Sequence, residues 1–255
     1  MRPSRLGRGL YTLGEIMRFA GTRQFLIGTL CTLALACCAK ADSIAILNLG
    51  NDGIPNPPYA GPYASLTVDL IDPTHATITF NSLTSGNFEY LIAGAQTAAV
   101  EVNATTFTVT PISSHAPNAT FNAQPAGDPS ATINGNDTSD GFGKFNLSID
   151  SFDGFTSASD QISFTITDTS GTWSDPTTVL KQNGANGYIA AAHIFVTDIT
   201  NGLNANTSPN PTTGYAATQG GFSVLPPSVP TPSAALGGLT LLGVLAFRRK
   251  LGLRR

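Results

Sequence analysis

The amino-acid sequence predicts an all-β fold, an antiparallel β-sandwich of jelly-roll type, and three observations predict it. Several segments in the middle of the chain alternate apolar and polar residues with a period of two, which is typical of half-buried strands. Residues 42–222 include 26 threonines, whose β-branched side chains favour strands. Turns of the Asp-Pro, Asn-Gly and Asp-Gly types separate the segments. Many short strands joined by such turns predict a sandwich.

The strands are predicted in order along the chain. Asp72 and Pro73 separate the first two and indicate a hairpin. Residues 188–196 are apolar almost throughout, which favours a central strand buried on both faces over a short helix. Residues 91–100 fit a strand or a helix. The alternating segments are residues 66–70, 76–80, 100–102, 107–110, 145–150 and 162–167.

Two segments rich in Pro and Asn, residues 111–131 and 203–221, predict long surface loops. The length of 255 residues fits one domain, residues 42–222, with targeting segments on both sides.

Charge is distributed unevenly along the chain. The whole chain has a formal net charge of −3, but residues 42–247 contain 15 acidic residues and only two basic ones, Lys144 and Lys181. The net charge of that part is therefore −13. Binding to a nucleic-acid backbone requires clustered Lys and Arg, so this class is excluded. An acidic, weakly charged body is typical of an exported domain.

The N-terminal residues 1–41 predict an export signal. Arg18 and Arg23 precede the apolar residues 25–39, which are too few to span a membrane in the usual way. The small residues Ala39 and Ala41 predict cleavage before Asp42, and Met17 is an alternative start. The alternatives are a retained membrane anchor or a lipoprotein signal. All three cysteines lie in this segment, so the cleaved chain has no disulfide, thiolate ligand or cysteine nucleophile.

The C-terminal region has three parts. Residues 223–232 form a Pro-rich linker, residues 233–247 are apolar, and residues 248–255 form a basic tail. A helix over the apolar part reaches about 23 Å, so tilt or local thinning of the bilayer must help it to span. The positive-inside rule predicts that the basic tail stays cytoplasmic and that the body lies outside. The cluster that stops transfer is Arg248, Arg249 and Lys250.

The end of the linker and the first residue of the apolar part read Val229, Pro230, Thr231, Pro232 and Ser233. This motif, the short apolar helix and the Arg-rich end together resemble the PEP-CTERM sorting signal, with Thr231 in place of the glutamate of the Pro-Glu-Pro triplet. The resemblance implies recognition and cleavage by an exosortase, a membrane-embedded enzyme similar to cysteine transpeptidases. It also implies a membrane-anchored precursor that ends at the cell surface or in the exopolysaccharide matrix of a biofilm. The alternative is a plain C-terminal membrane anchor.

No catalytic motif is present in the sequence. His75, His115 and His193 are isolated from one another, and no GxSxG element occurs. A glycosidase needs only two carboxylates, for which three aspartates are candidates, but the favoured interpretation of these is as turn and strand-edge acids. The protein is therefore predicted not to be an enzyme. The three candidate aspartates are Asp150, Asp153 and Asp160.

A calcium site is the most plausible metal site, although no cofactor is predicted. The loop of residues 134–141 offers oxygen ligands from Asn136, Asp137 and Asp140. Leu147 stands where an EF-hand has its bidentate Glu, and Asp and Asn are also common turn formers.

The function predicted first is an exported, non-enzymatic surface protein associated with extracellular polysaccharide. The alternative is a secreted carbohydrate-binding module or weak glycosidase with the same tail. That alternative requires an exposed aromatic strip or two carboxyls facing one cleft. The single tryptophan, Trp173, is predicted to pack in the core, and Tyr59 and Tyr63 are the other aromatic candidates.

Overall fold

The computed structural model describes residues 42–94, 96–121, 130–135, 138–150, 155–184, 187–200, 212–220 and 222. These residues form fourteen strands and two short 3-10 helices, and every strand pairing among them is antiparallel, which confirms the predicted all-β class. The strands are β1 (Ser43–Gly50), β2 (Ala64–Asp72), β3 (His75–Ser82), β4 (Thr84–Ser85), β5 (Phe88–Ile92), β6 (Ala98–Val100), β7 (Phe107–His115), β8 (Ser130–Ile133), β9 (Thr138–Ser139), β10 (Gly143–Lys144), β11 (Leu147–Asp150), β12 (Gln161–Asp168), β13 (Ala190–Asp198) and β14 (Thr212–Thr218). The 3-10 helices are Phe155–Ser157 and Pro176–Thr178.

Twelve strands form one sheet, and β9 and β10 form a separate hairpin. The order across the large sheet is β7, β12, β3, β2, β1, β14, β13, β6, β11, β8. β5 continues the line of β6 along β13, and β4 pairs with β5. Side chains from distant positions in this order share one hydrophobic core, so both halves of the sheet bury the same face. Examples of fully buried core residues are Leu66, Ile78, Phe164, Val100, Leu147 and Ile194.

The direction of the strands places the two ends of the body together. β1 begins at Ser43, directly after the predicted cleavage position, and its neighbour β14 runs antiparallel to it and ends at Thr218. We call this end of the sheet the entry end. At the opposite end, called here the far end, β3 and β7 finish at Ser82 and His115, and β12 begins at Gln161.

The sequence predicted β2, β3, β12 and β13 correctly, but it did not predict β1 and β14, which lie in the middle of the strand order. β2 and β3 form the hairpin predicted at Asp72, and β13 is buried on both faces. Of residues 91–100, residues 91–92 belong to β5 and residues 98–100 to β6, and none of those described is helical. The prediction of a loop over residues 111–131 is wrong at both of its ends, because β7 continues to His115 and β8 begins at Ser130. The predicted loop over residues 203–221 is also wrong where it contains β14.

Pro111 favoured the prediction of a loop because proline is normally excluded from the interior of sheets. Here the register of β7 against β12 shifts between Phe164 and Ile166, and Thr110 and Pro111 are the two residues opposite one. β7 lies at the end of the strand order, where the missing N–H of proline removes no hydrogen bond between strands. β14 was missed because its small residues, TTGYAAT, do not alternate clearly.

The predicted signal peptide, linker, transmembrane helix and basic tail lie outside the described residues, which begin at Asp42. Within the part of the chain that the structure describes, no helix is long and apolar enough to cross a membrane.

A charged turn closes the hairpin between β2 and β3. Asp72 Oδ1 accepts hydrogen bonds from the backbone N–H groups of Thr74 and His75, at 2.7 and 2.9 Å, and from the Thr74 hydroxyl. His75 Nδ1 lies 2.9 Å from both carboxylate oxygens. The hydrogen bond to His75 and those to Thr74 hold the pKa of Asp72 well below its usual range.

We expect Asp72→Asn to lower the stability of the fold at neutral pH by an amount that becomes smaller in acid. Because the folded-state pKa is depressed, the stabilisation is present above the unfolded pKa of about 3.9 and is lost as the pH falls through the folded pKa. Urea unfolding of both proteins between about pH 7 and pH 2 measures it, with the exposed Asp52→Asn as control. A difference that stays constant over this range would contradict the prediction.

Candidate functional site

Three strands bring polar side chains together at the far end of the sheet. In the register of β12 with its neighbours, Gln161 lies opposite Asn81 of β3 on one side and opposite His115 of β7 on the other. The side-chain amide of Gln161 donates a hydrogen bond of 2.8 Å to Asn81 Oδ1. Three residues distant in sequence therefore form one row on the outer face of the sheet.

Asp160, directly before β12, is held at this row by its backbone. Its carbonyl accepts a hydrogen bond from Ser82 N at 2.7 Å, and its N–H donates to the carbonyl of His115 at 3.1 Å. Its carboxylate Oδ1 lies 2.7 Å from His115 Nδ1. The side chain of His115 is 67% exposed and that of Asp160 is 29% exposed, so solvent reaches this pair.

A second carboxylate reaches the same place from β5. Glu89 is half-buried, and its Oε1 accepts a hydrogen bond of 3.3 Å from the hydroxyl of Ser82. Burial raises the pKa of Glu89, and the negative charge of Asp160 raises it further. The environment of Glu89 thus disfavours its ionised form, and a nearby cation would stabilise that form.

These residues line a pocket of about 430 Å³, which we call the far-end pocket. This volume is within the range of small-molecule sites, but the lining is polar throughout. The pocket is suited to a small, hydrogen-bonding ligand and unsuited to an apolar one. Its lining residues are Asn81, Ser82, Glu89, His115, Asp160 and Gln161.

Of the acids predicted as candidates, only Asp160 lies in this pocket. Asp150 accepts hydrogen bonds from Gln96 N and from the hydroxyl of Thr132, both at 2.9 Å, which is a structural role. Asp153 lies outside the described residues. No motif in the sequence points to Glu89, and its only signal is one acid within the otherwise apolar strand FEYLI.

The three histidines lie in three different parts of the structure. His75 belongs to the hairpin turn with Asp72, and the ring of His193 stacks on Tyr215 with centroids 4.5 Å apart. His115, which was predicted in a loop, is the last residue of β7 and lines the far-end pocket.

The predicted calcium ligands are only partly described. Asn136 and Asp137 lie outside the described residues, and Asn51 Nδ2 donates to both the carbonyl and the carboxylate of Asp140, at 3.2 and 3.3 Å. Among the residues that the structure describes, no group of three or more His, Cys, Asp or Glu side chains could hold a metal ion.

The aromatic candidates do not form an exposed strip. Trp173 is only 3% exposed, and its Nε1–H donates to the carbonyl of Asn103 at 2.9 Å, which confirms the prediction of core packing. Tyr63 is 1% exposed and donates its hydroxyl to the carbonyl of Tyr59. Tyr59 packs edge-on against Phe88 at 5.0 Å.

Comparison with known proteins adds no assignment: no family model, no curated protein and no solved structure matches this chain.

Proposed function

We propose that this is an exported, non-enzymatic surface protein whose C-terminal tail is a PEP-CTERM-like sorting signal. The observation that carries the proposal is the order of the tail: the motif of residues 229–233, the apolar residues 233–247 and the basic residues 248–255. In this proposal Pro230, Thr231 and Pro232 are recognised by an exosortase-type enzyme and are not catalytic.

The proposed precursor has a signal peptide, a jelly-roll-like sandwich body and a short transmembrane helix. Three features of the body support this organisation. β1 begins one residue after Asp42, where the signal is proposed to be cleaved. β1 and β14 are neighbours, and both halves of the large sheet share one core. The acidic composition is that of an exported domain, and the proposed destination is the cell surface or the extracellular polysaccharide matrix.

Intact mass and terminal peptides of the protein from its native host test this proposal, with and without the sorting enzyme. We expect a mature N-terminus at Asp42 in both strains. We expect a C-terminus near residues 230–233 only when the enzyme is present. An intact tail in both strains would contradict sorting and would leave a membrane-tethered β domain.

The second candidate function is a carbohydrate-binding module or weak glycosidase with the same tail. The far-end pocket favours its binding form, because amide, hydroxyl and carboxylate groups line a space of suitable volume. The burial of Trp173 removes the exposed tryptophan on which sugar stacking would depend.

A further inference from the structure

We propose that the far-end pocket binds an amino-sugar unit, a polyhydroxylated ring with a free ammonium group, as part of a partly deacetylated polysaccharide. The inference rests on the proposed surface role only for the source of the polymer. The recognition itself is argued from the lining of the pocket.

The neutral groups of the pocket match a sugar ring. The amides of Asn81 and Gln161 each offer donors and an acceptor, and the hydroxyl of Ser82 offers both in one group. Sugar hydroxyls need such mixed partners. Gln161 already donates to Asn81, and the Ser82 hydroxyl already donates to Glu89. An apolar ligand would cover the remaining donors and acceptors of these groups without offering them partners, at a cost that disfavours its binding.

The charged groups of the pocket select an ammonium. Glu89 and Asp160 bring two carboxylates to one space, and none of the six lining residues is Lys or Arg. The one imidazole of the lining, His115, contacts a single oxygen of Asp160, Oδ1. Burial and the charge of Asp160 raise the pKa of Glu89, so a cation placed there relieves both effects. The net charge of −13 over residues 42–247 repels anionic polysaccharides.

The surface beside the pocket extends the site to more than one sugar. On the outer faces of β3 and β12, the next two rows are paired hydroxyls: Thr79 with Ser163 at 3.0 Å, and Thr77 with Thr165 at 3.3 Å. All four side chains are partly exposed. We call these rows the hydroxyl face. Its continuity with the pocket favours a polymer over a single sugar.

Calorimetric titration of the full chain in mild detergent tests the inference. The probes are a fully deacetylated glucosamine hexamer, its N-acetylated counterpart and an oligogalacturonate. We expect the deacetylated hexamer to bind at least about tenfold more tightly than the N-acetylated one, because acetylation removes the charge that Glu89 and Asp160 recognise. The oligogalacturonate is expected not to bind. Binding of the deacetylated hexamer should weaken at high salt.

Two variants assign the binding to this pocket. Glu89→Gln and Asp160→Asn keep the shape of each side chain and remove its charge. Each is expected to weaken the binding of the deacetylated hexamer by about tenfold. Glu101→Gln is the matched control, since Glu101 is also half-buried and burial raises its pKa, but it bonds to Asn146 N away from the pocket. The affinity of Glu101→Gln for the deacetylated hexamer should equal that of the unmodified chain.

Three results would each overturn the inference: equal affinity for the acetylated and deacetylated hexamers, no binding of either, or unchanged affinity in both pocket variants. Thermal unfolding of each variant shows that it is folded before titration. The titration does not depend on processing of the tail. A failure of sorting and a failure of sugar binding are therefore seen in separate experiments.

Discussion

Replacing Gly94 by alanine is expected to destabilise the fold by about 2–5 kcal/mol. Gly94 has a φ of +93°, and a residue with a Cβ is strained there by about 1–2 kcal/mol. A Cβ at this position would also clash with Nδ1 of His193, and overpacking of this kind costs about 1–3 kcal/mol.

The surroundings of His193 prevent its ring from moving aside easily. Its carbonyl accepts a hydrogen bond from Ala93 N at 3.1 Å, and its N–H donates to the carbonyl of Thr97 at 3.0 Å, so its backbone is held in place. Its ring is stacked on Tyr215 at an interplanar angle of 9°. β5 and β6 both pair with β13, and Gly94 lies between them in sequence. Its missing side chain therefore leaves room for the imidazole of His193.

Two other glycines separate the backbone cost from the steric cost. Gly86 has a φ of +62° but no atom within 4 Å of its Cβ position, so Gly86→Ala reports the backbone cost alone, about 1–2 kcal/mol. Gly184 has open space at its Cβ position and no positive φ, so the free energy of unfolding of Gly184→Ala should be close to that of the parent protein. Urea unfolding measures all three. If Gly94→Ala and Gly86→Ala cost the same, the contact with His193 has no effect.

Trp173→Ala is expected to cost about 3–5 kcal/mol, the usual cost of truncating a buried tryptophan. The side chain is almost fully buried beside the hairpin turn, where Trp173 N also donates to the carbonyl of Pro73 at 2.6 Å. Its loss would leave a cavity at the entry end and the Asn103 carbonyl without its indole donor.

Trp173→Phe is the matched variant for this site. It keeps a buried aromatic ring and removes the indole hydrogen bond, so we expect it to lose about 1–2 kcal/mol, less than alanine. Because Trp173 is the only tryptophan, its fluorescence follows the unfolding of the parent, and circular dichroism follows both variants. A stable Trp173→Ala variant that loses glucosamine-hexamer binding would instead indicate a direct role in the ligand site.

The strands that could be predicted are those with one face in the core and one face in solvent. Residues 64–70 of β2, 75–80 of β3 and 161–167 of β12 alternate because their apolar residues are buried and their polar residues face outwards. β1 was missed because its register against β14 shifts between Leu47 and Leu49. This bulge places Leu47 in the main core and Leu49 against a second cluster, which interrupts the alternation.

The far-end pocket could not be predicted because it depends on register. Glu89 lies on β5, His115 on β7 and Asp160 directly before β12. Their meeting depends on which residues pair between β12 and its neighbours and between β5 and its neighbours. A pattern of period two shows which face a residue takes but not its partner on the next strand. Asp160 was considered as a carboxylate candidate, but nothing in the sequence connected it to Glu89.

The origin of the six lining residues has a consequence for processing of the proposed tail. They come from β3, β5, β7, β12 and the residue directly before β12, and none lies in the proposed linker, helix or basic tail. Removal of the tail by a sorting enzyme would therefore take no contact away from the far-end pocket. The unprocessed and the processed protein would bind the same ligand through the same side chains.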